Sequence, residues 1–239
     1  SSYGRSSRGS PSMIPTDTAA TDPVRGSPVS EPSPRRWATA SASATYAPVI
    51  AAVHGAELRG TPEPVAVDLG YGAAPWTAVE LLARLRTAAP RTHVFGVEIE
   101  PARVAAALPY EREGLAFLHG GFEVPVPGRP HLIRAANVLR QYDEGQVAEV
   151  WRRLCARLAP ADPGSGGGLL VEGTCDEIGR RHVWVALGPE GPRTVTFATR
   201  LGSLDRPSDL AERLPKALIH RNVPGEPVHA FLRDFDRAC

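Results

Sequence analysis

The stretch VAVDLGYGAAP, residues 65–75, determines how the rest of the chain is arranged. It begins with apolar residues typical of a short strand, and Gly70 and Gly72 then permit backbone conformations that other residues avoid. Pro75 suits the first turn of a helix, and apolar residues follow at helical spacing, namely Ala78, Leu81, Leu82 and Leu85. The stretch therefore predicts a strand, a glycine turn and a helix whose first N–H groups can face a polar ligand.

Two well-known nucleotide-binding loops do not fit this turn. A dinucleotide-binding loop has a third glycine where this chain has Pro75. A P-loop requires a lysine followed by serine or threonine, and the only lysine of the chain is Lys216. The turn therefore binds another kind of ligand, or it is an ordinary turn with no ligand.

A second acidic strand follows the glycine turn, because the apolar run Val94–Val97 leads into Glu98. Together with Asp-x-Gly-x-Gly at residues 68–72, it resembles the two cofactor motifs of the class I, Rossmann-like S-adenosylmethionine-dependent methyltransferases. The resemblance covers residues 60–201 and implies S-adenosyl-L-methionine as cofactor, with the glycine turn beneath its methionine and ribose. It implies that Glu98 binds the ribose hydroxyls, for which a carboxylate is a strong acceptor. Glu100 is the alternative carboxylate for this role.

The segments after the third and fourth strands supply further candidates. The family usually has an acidic residue after the third strand, near the adenine; here it is absent or displaced to Glu123. Phe122 either stacks on adenine or packs in the core. The segment Ala136–Leu139 is similar to the fourth-strand motif, whose residues border the transferable methyl group. The resemblance thus implies a cofactor-binding set and a catalytic set, respectively Asp68, Gly70, Gly72, Glu98, Phe122 and Asn137, and Asn137, Arg140 and Tyr142. Alternatively, Arg140 is solvated and Tyr142 packs under the next helix.

Alternating strand and helix signals from residue 65 to about residue 175 predict an α/β fold with helices on both faces of a parallel sheet. Two β-rich runs, Arg181–Leu187 and Arg193–Leu201, flank a Gly/Pro turn and predict a closing antiparallel hairpin. The resemblance implies a seven-stranded, mostly parallel sheet whose seventh strand lies between the fifth and the sixth. The last helix has a predicted packing stripe of Val228, Phe231, Leu232 and Phe235.

Residues 1–36 are rich in Ser, Pro and Gly and predict a disordered N-terminal extension. A basic arm for nucleic acid is the alternative, because arginines are scattered along it. A natural start at Met13, the only methionine, would leave residues 1–12 outside the protein. Residues 37–239 are predicted to form one methyltransferase-like domain. A helix is predicted before the first strand, where Trp37 and Tyr46 either cover the cofactor or belong to the core.

Composition narrows the class of partner. The chain has 239 residues, of which 42% are hydrophobic, and a net charge of +1, so it has no general attraction to nucleic acid or to an anionic membrane. The three cysteines are scattered, which predicts a reducing cytoplasm. No apolar run reaches the ~20 residues of a membrane span. Neither Cys-x-x-Cys nor His-Glu-x-x-His spacing occurs, so no metal is predicted.

The sequence therefore predicts an S-adenosylmethionine-dependent methyltransferase that acts on a small molecule. The sulfonium of such a cofactor carries the reactivity, so the protein needs to align the acceptor and requires no acid–base triad. A catalytically silent cofactor-binding module is the alternative, favoured by Ala74 where the family often has a glycine and by the missing third-strand carboxylate. RNA methylation is a third hypothesis. The sequence does not specify the oligomeric state.

Overall fold

The computed structural model describes residues 46–161, 167–176, 179–200 and 202–239. The strands in these ranges are β1 (Val65–Leu69), β2 (His93–Glu98), β3 (Leu115–His119), β4 (Leu132–Ala136), β5 (Leu169–Cys175), β6 (Arg181–Gly188) and β7 (Gly191–Thr199). The α-helices are α1 (Tyr46–Leu58), α2 (Trp76–Ala88), α3 (Pro101–Ala107), α4 (Glu144–Cys155), α5 (Lys216–Ile219) and α6 (Pro227–Ala238). Short 3₁₀ helices cover Leu108–Tyr110, Leu139–Gln141 and Pro207–Arg213.

All the described strands belong to one sheet, with the order β3-β2-β1-β4-β5-β6-β7. Neighbouring strands are parallel from β3 to β5, whereas β6 is antiparallel to β5 and β7 is antiparallel to β6. The prediction of a seven-stranded, mostly parallel sheet that ends in an antiparallel hairpin is confirmed. The strand order changes direction between β1 and β4, and in such sheets ligands bind at the carboxyl ends of the strands at this point.

The order of the last two strands differs from the expected one. We expected β7 between β5 and β6, but β6 pairs directly with β5 and β7 forms the edge of the sheet. The reason is the short connection, because only residues 176–180 separate β5 from β6. A parallel neighbour requires a crossover of about a dozen residues or more. The chain therefore returns antiparallel, and β6 takes the position next to β5.

Helices cover both faces of the sheet, as predicted. Residues of α1 and α2 pack in one core cluster with Ala66 of β1, and residues of α4 pack in a second cluster with Val67. Because consecutive residues of a strand point to opposite faces, Ala66 and Val67 mark the two sides of a three-layer structure. A smaller cluster joins β6 to the C-terminal segment through Val183, Leu210 and Leu232.

The predicted starts of three helices are confirmed. α2 begins at Trp76, and its predicted stripe is buried, namely Ala78, Leu81, Leu82 and Leu85. α3 begins at Pro101. α4 begins after Asp143, whose backbone N–H donates a hydrogen bond to Gln146 Oε1 at 2.9 Å. This bond is half of the capping box that the Asp143 and Gln146 spacing predicts.

Some boundaries differ from the predicted ones. The sequence pattern predicts strands over residues 93–97, 131–138 and 169–171. The observed β2 includes Glu98 as its last residue, and β4 covers only Leu132–Ala136. β4 ends early because Asn137 has a φ of 60°, which is incompatible with an extended strand. β5 extends beyond its predicted end to Cys175 because it pairs with β6 along this length.

The predicted packing stripe of α6 is only partly buried. Leu232 is 3% exposed, whereas Phe231 is 48% and Phe235 is 37% exposed. The third core cluster takes up the side of α6 that carries Leu232 and Val228. The two phenylalanines therefore lie at the rim of the helix, where the described part of the chain covers them incompletely.

The predicted extension 1–36 and Trp37 lie outside the described residues. Tyr46 is the first residue of α1, which is the predicted helix before β1. The prediction that Trp37 and Tyr46 cover the cofactor stays a prediction. Among the helices that the structure describes, none combines the length and the apolar character that crossing a membrane requires.

Candidate functional site

The turn between β1 and α2 requires glycine at two positions. Gly70 and Gly72 have φ values of 67° and 85°, in the left-handed region that residues with a side chain disfavour. A Cβ atom on Gly70 would lie 2.8 Å from Cγ2 of Val138, whereas a Cβ atom on Gly72 would have no neighbour within 4 Å. Gly70 therefore allows the loop after β4 to approach the turn, and Gly72 leaves open space beside the backbone.

A cleft of about 500 Å³ opens beside this turn, at the carboxyl ends of β1, β2 and β4. Its volume is within the range of about 300 to 1,000 Å³ that is usual for small-molecule sites. Six residues predicted from the sequence line the cleft, namely Gly70, Gly72, Glu98, Phe122, Asn137 and Tyr142. Asp68 and Arg140 are not among the described residues that line it.

The carboxylate of Glu98 is buried at the end of β2 and faces the glycine turn. The N–H of Gly72 donates a hydrogen bond to its Oε2 at 3.0 Å. The N–H groups of Ile99 and Glu100 donate to its Oε1 at 3.0 and 3.2 Å, and Arg103 Nη1 lies 3.6 Å from the same oxygen. A carboxylate oxygen has about two lone-pair sites. Because Gly72 is its single donor among the described residues, Oε2 can accept one further hydrogen bond from a ligand.

Glu100, the alternative acidic residue, has a different place. It is the N-cap of α3, where its Oε1 accepts a hydrogen bond from the Ala102 N–H at 3.5 Å. It is exposed and is not among the described residues that line the cleft. Of the two candidates, Glu98 is the one that the structure brings next to the glycine turn.

Asp68 differs from the prediction of a direct cofactor contact. Its carboxylate accepts a hydrogen bond from the Thr77 hydroxyl and pairs with the Arg134 guanidinium of β4. The side chains of this ion pair are 1% and 3% exposed. A buried carboxylate needs such a partner because an unpaired buried charge is strongly unfavourable. Asp68 therefore holds together the two strands that flank the cleft.

Asn137 forms the connection between the ends of β4 and β5. Asparagine tolerates its left-handed φ of 60° better than most residues do, and its N–H donates to the carbonyl oxygen of Gly173 at 2.8 Å. Its side-chain Nδ2 donates to Sγ of Cys175 at 3.1 Å, and its Oδ1 accepts from the Cys175 N–H at 3.1 Å. Because these polar atoms are engaged within the protein, Asn137 shapes the wall of the cleft.

An aromatic pair forms another part of the wall. The rings of Phe122 and Tyr142 meet edge to face, with centroids 5.5 Å apart and an interplanar angle of 61°. Both rings line the cleft and also pack against the second core cluster, and a role of either ring toward a ligand stays a prediction. Arg140 is exposed on the 3₁₀ helix Leu139–Gln141, which agrees with its predicted alternative as a solvated residue.

Glu123 also lines the cleft. It is the candidate for the acidic residue that the family usually has after the third strand. Its Oε1 accepts a hydrogen bond from the Gly121 N–H at 2.8 Å, and its Oε2 lies 3.8 Å from Arg153 Nη2. The hydrogen bond from Gly121, with a smaller contribution from Arg153, lowers the pKa of Glu123 below its ordinary value. Glu123 is therefore charged at neutral pH.

Sequence reasoning did not single out several residues that line the cleft, among them Ile99, Arg103, His119, Gln141 and Arg153. The sequence did contain a signal for Ile99, because it is a large apolar residue directly after the strand that ends in Glu98. In the structure its side chain is 72% exposed. His119 Nε2 lies 3.0 Å from the carbonyl oxygen of Ile99. No pattern in the sequence around Arg153 indicates a place in the cleft. Arg153 belongs to α4 and not to a segment that directly follows a strand.

Two carboxylates, those of Glu98 and Asp68, lie near Tyr71 of the glycine turn, and each has an arginine within 4 Å. Burial, reinforced by the charges of Glu98 and Asp68, raises the pKa of Tyr71 to about 12. Within the described ranges, no group of three or more His, Cys, Asp or Glu side chains is arranged to hold a metal ion.

The chain has a Rossmann-like α/β fold, and a seven-stranded, mostly parallel sheet of this kind is what the methyltransferase resemblance implies. Its sheet changes direction between β1 and β4, and its cleft lies at the carboxyl ends of these strands, beside a glycine turn and an acidic second strand.

Solved structures with a similar fold include three methyltransferases. The magnesium protoporphyrin IX methyltransferase from Synechocystis PCC 6803, with bound SAH, is 16% identical and has a TM-score of 0.40, and the match covers 55% of this chain and 55% of that one. The mitomycin 7-O-methyltransferase is 24% identical, with a TM-score of 0.40 and coverages of 56% and 37%. The N,N-8-amino-8-demethyl-D-riboflavin dimethyltransferase from Streptomyces davawensis is 19% identical, with a TM-score of 0.36 and coverages of 46% and 32%.

The matched part of this chain spans between 32% and 55% of the length of these three structures. No protein-family model and no curated protein sequence matches the chain. Similarity at 16% to 24% sequence identity describes the fold alone. An argument about activity therefore depends on the residues of the cleft.

Proposed function

We propose that this chain binds S-adenosyl-L-methionine in the cleft and transfers its methyl group to a small molecule. One observation carries the proposal: the open space beside Gly72 and the buried carboxylate of Glu98 face each other in one cleft. A bare backbone allows close approach of a ligand, and a carboxylate with a free lone pair accepts a hydrogen bond from a hydroxyl.

Each part of the cofactor has matching residues in the cleft. Glu98 would accept hydrogen bonds from the ribose hydroxyls, and the glycine turn would lie beneath the methionine portion. The exposed side chain of Ile99 and the ring of Phe122 would cover the flat adenine with apolar surface. Glu123 lies at the same side of the cleft and would accept a hydrogen bond from the adenine amino group.

When bound, the cofactor supplies an electrophilic methyl group on a sulfonium. The residues of the chain would then orient the acceptor in line with that group, and alignment alone gives a large rate increase. Tyr142 is suited to this role because it lines the cleft and carries a hydroxyl. A small acceptor is favoured because the net charge of +1 gives no general attraction to nucleic acid.

Calorimetric titration with S-adenosylmethionine and with its demethylated product tests the proposal. We expect the wild-type chain to bind both, and Gly72→Leu to lose at least about 100-fold in affinity, roughly 2.7 kcal/mol, because the new side chain enters the open space. Gly225→Leu is the matched control. Gly225 has a φ of 98° and open space at its Cβ, so it carries similar backbone strain, and it is not among the described residues that line the cleft. Failure of the wild type to bind, or equal affinity of the Gly72→Leu variant, would contradict the proposal.

Gly70 is less suitable for this test. A side chain there would collide with Val138 at 2.8 Å in addition to adopting a left-handed φ. Gly70→Val is therefore expected to lower stability together with affinity, and the two effects would be difficult to separate.

A catalytically silent cofactor-binding module is the second candidate. Two observations favour it: the polar atoms of Asn137 are engaged by Cys175, and Ala74 stands where the family often has a glycine. Transfer of a labelled methyl group to a panel of small oxygen, nitrogen and carbon nucleophiles separates the two. Binding without any transfer favours the silent module. Steeply salt-dependent RNA binding would instead favour an RNA methyltransferase.

A further inference from the structure

β7 forms an edge of the sheet, and β6 is its only strand neighbour among the described residues. It runs over Gly191–Thr199, and residues 192–195 are exposed. An edge strand has a row of backbone donors and acceptors that can pair with another chain, and charged residues usually discourage such pairing. Arg193 is the one charged residue within β7, and the centre of the strand consists of the β-forming residues Thr194, Val195, Thr196 and Phe197.

Exposed apolar side chains adjoin this edge. Val195 is 43%, Phe231 is 48% and Phe235 is 37% exposed. The ring of Phe231 stacks on Phe197 of β7, with centroids 5.3 Å apart, and Phe235 follows with its centroid 5.6 Å from that of Phe231. β7 together with Phe231 and Phe235 is called the β7–α6 surface below. It combines an unfilled strand edge with apolar surface of the kind that marks protein interfaces.

We propose that the β7–α6 surface is a homodimer interface in which β7 pairs antiparallel with β7 of a second copy, about a two-fold axis at Val195. In this register Val195 faces Val195 of the other copy, and each Thr194 faces Thr196. These are favourable cross-strand pairs. The same register brings Arg193 across from the ring of Phe197, which suits a cation.

Charge complementarity selects a second copy of the chain as the occupant. Glu190 precedes β7 and Arg200 follows it, and both are exposed. Within one copy the carboxylate of Glu190 also pairs with Arg193 of β7. An antiparallel pairing centred on Val195 places each Glu190 opposite Arg200 of the other copy. A parallel pairing would instead bring the like charges together. The strand ends therefore favour an antiparallel, two-fold arrangement.

The size of the surface predicts a reversible dimer. A strand of nine residues is roughly 30 Å long, and the twelve-residue helix α6 beside it is roughly 18 Å long. Together they offer on the order of 600 Å² per copy, below the roughly 800 Å² per partner of standard stable interfaces. We therefore expect monomer and dimer to interconvert in the micromolar to submillimolar range.

Sedimentation equilibrium of the full chain over this concentration range tests the proposal. We expect the wild type to dimerise and Val195→Arg to weaken dimerisation at least about tenfold, because two arginines would then face each other at the axis. Val223→Arg is the matched control, since Val223 is another exposed valine, 48% exposed, outside the β7–α6 surface. Circular dichroism establishes that both variants are folded. A wild type that stays monomeric, or a dimer that both arginine variants weaken equally, would overturn the proposal.

A charge exchange tests the register. Glu190→Arg and Arg200→Glu are each expected to weaken the dimer several-fold, and the double variant is expected to recover most of the loss. Added salt should also weaken the wild-type dimer, because exposed ion pairs are screened. Single and double variants that lose the dimer to the same additive extent would contradict the antiparallel register. Because the cofactor cleft contains none of these residues, the outcome is independent of the proposed methyl transfer.

Discussion

Asp68 and Glu98 belong to neighbouring parallel strands and to two motifs that the sequence assigns to one cofactor, yet the fold gives them different surroundings. Asp68 pairs in register with Gly96, two residues before Glu98, so it lies roughly 7 Å deeper along the strands. There it meets Arg134 and is sealed from water. Glu98 lies at the rim, where backbone N–H groups hold it beside the cleft. Depth along the strand therefore separates a structural carboxylate from one that can meet a ligand.

Glu172 extends the comparison to a carboxylate without a charged partner. It is 0% exposed at the centre of the sheet on β5. Burial raises its pKa to about 7, although the nearby Trp151 side chain opposes the shift. The three acidic residues thus have three kinds of surroundings in the sheet: pairing with arginine, hydrogen bonding to the backbone, and burial that raises the pKa.

The largest effect is expected for Asp68→Asn. The change removes the negative charge that faces the buried Arg134, and breaking a buried ion pair in this way typically costs about 3 to 5 kcal/mol in the free energy of unfolding. Urea denaturation measures this loss. Glu149→Gln is the control, because it breaks an ion pair with Arg152 that is 61% to 73% exposed and should cost at most about 1 kcal/mol. If Asp68→Asn keeps its stability but loses cofactor affinity, Asp68 contacts the ligand and the comparison with Glu98 is wrong.

The next effect is expected in the pH dependence of stability. Glu172 has a folded pKa of about 7 against an ordinary value of 4.5, so the folded state binds more protons than the unfolded state between these values. The contribution of Glu172 to stability is therefore complete below about pH 4.5 and falls as the pH rises through about 7, by on the order of 3 kcal/mol. Glu172→Gln should remove this fall in urea denaturation at stepwise pH values.

Glu80 serves as the comparison for Glu172. Burial raises the pKa of Glu80 to about 7 as well, but Arg84, 3.7 Å away, opposes the shift. Part of the pH dependence should therefore persist in Glu172→Gln and disappear when Glu80→Gln is added. An unchanged profile in the double variant would show that neither carboxylate takes up a proton on folding.

A smaller effect is expected for Glu98→Gln, measured as affinity for the demethylated cofactor. A hydrogen bond to a charged group is worth about 1.5 to 3 kcal/mol, so affinity should fall roughly 10-fold to 100-fold. Glu100→Gln, at the N-cap of α3, is the control and should leave the affinity unchanged. The reverse result would assign the ribose to Glu100.

The smallest effect is expected for Arg103→Gln. The Arg103 side chain is 48% exposed and lies 3.6 Å from the Glu98 carboxylate, and such partly exposed pairs contribute less than about 1 kcal/mol. Affinity for the demethylated cofactor should change only a few-fold. A loss as large as that of Glu98→Gln would mean that Arg103 itself binds the ligand.

Much of the fold could be predicted because its signals are local. The glycine turn, the stripe of α2 and the capping spacing before α4 each depend on residues close in sequence, so pattern and backbone preference suffice. The position of β7 could not be transferred from the family, because the short connection after β5 decides which strand becomes its neighbour. The exposure of Phe231 could not be predicted either. Helical spacing shows which residues share a face of α6, but it does not show how much of that face the third core cluster covers.

The candidate site shows the same division. Six of the eight distinct residues that the sequence proposed line the cleft, since the carboxyl ends of parallel strands meet at one edge. The engagement of Asp68 by Arg134 depends on the register of β1 with β4, which joins residues far apart in the chain. Arg153 reaches the cleft only through the packing of α4 on the sheet.

The sequence by itself determined the order of strands and helices up to β5, the glycine turn and the acidic end of β2, because backbone conformation and apolar periodicity follow from neighbouring residues. Only the tertiary structure decided which carboxylate is sealed against arginine, which meets the cleft, and which strand becomes the edge of the sheet. These outcomes depend on depth, register and the length of connections, all of which arise when distant segments pack together.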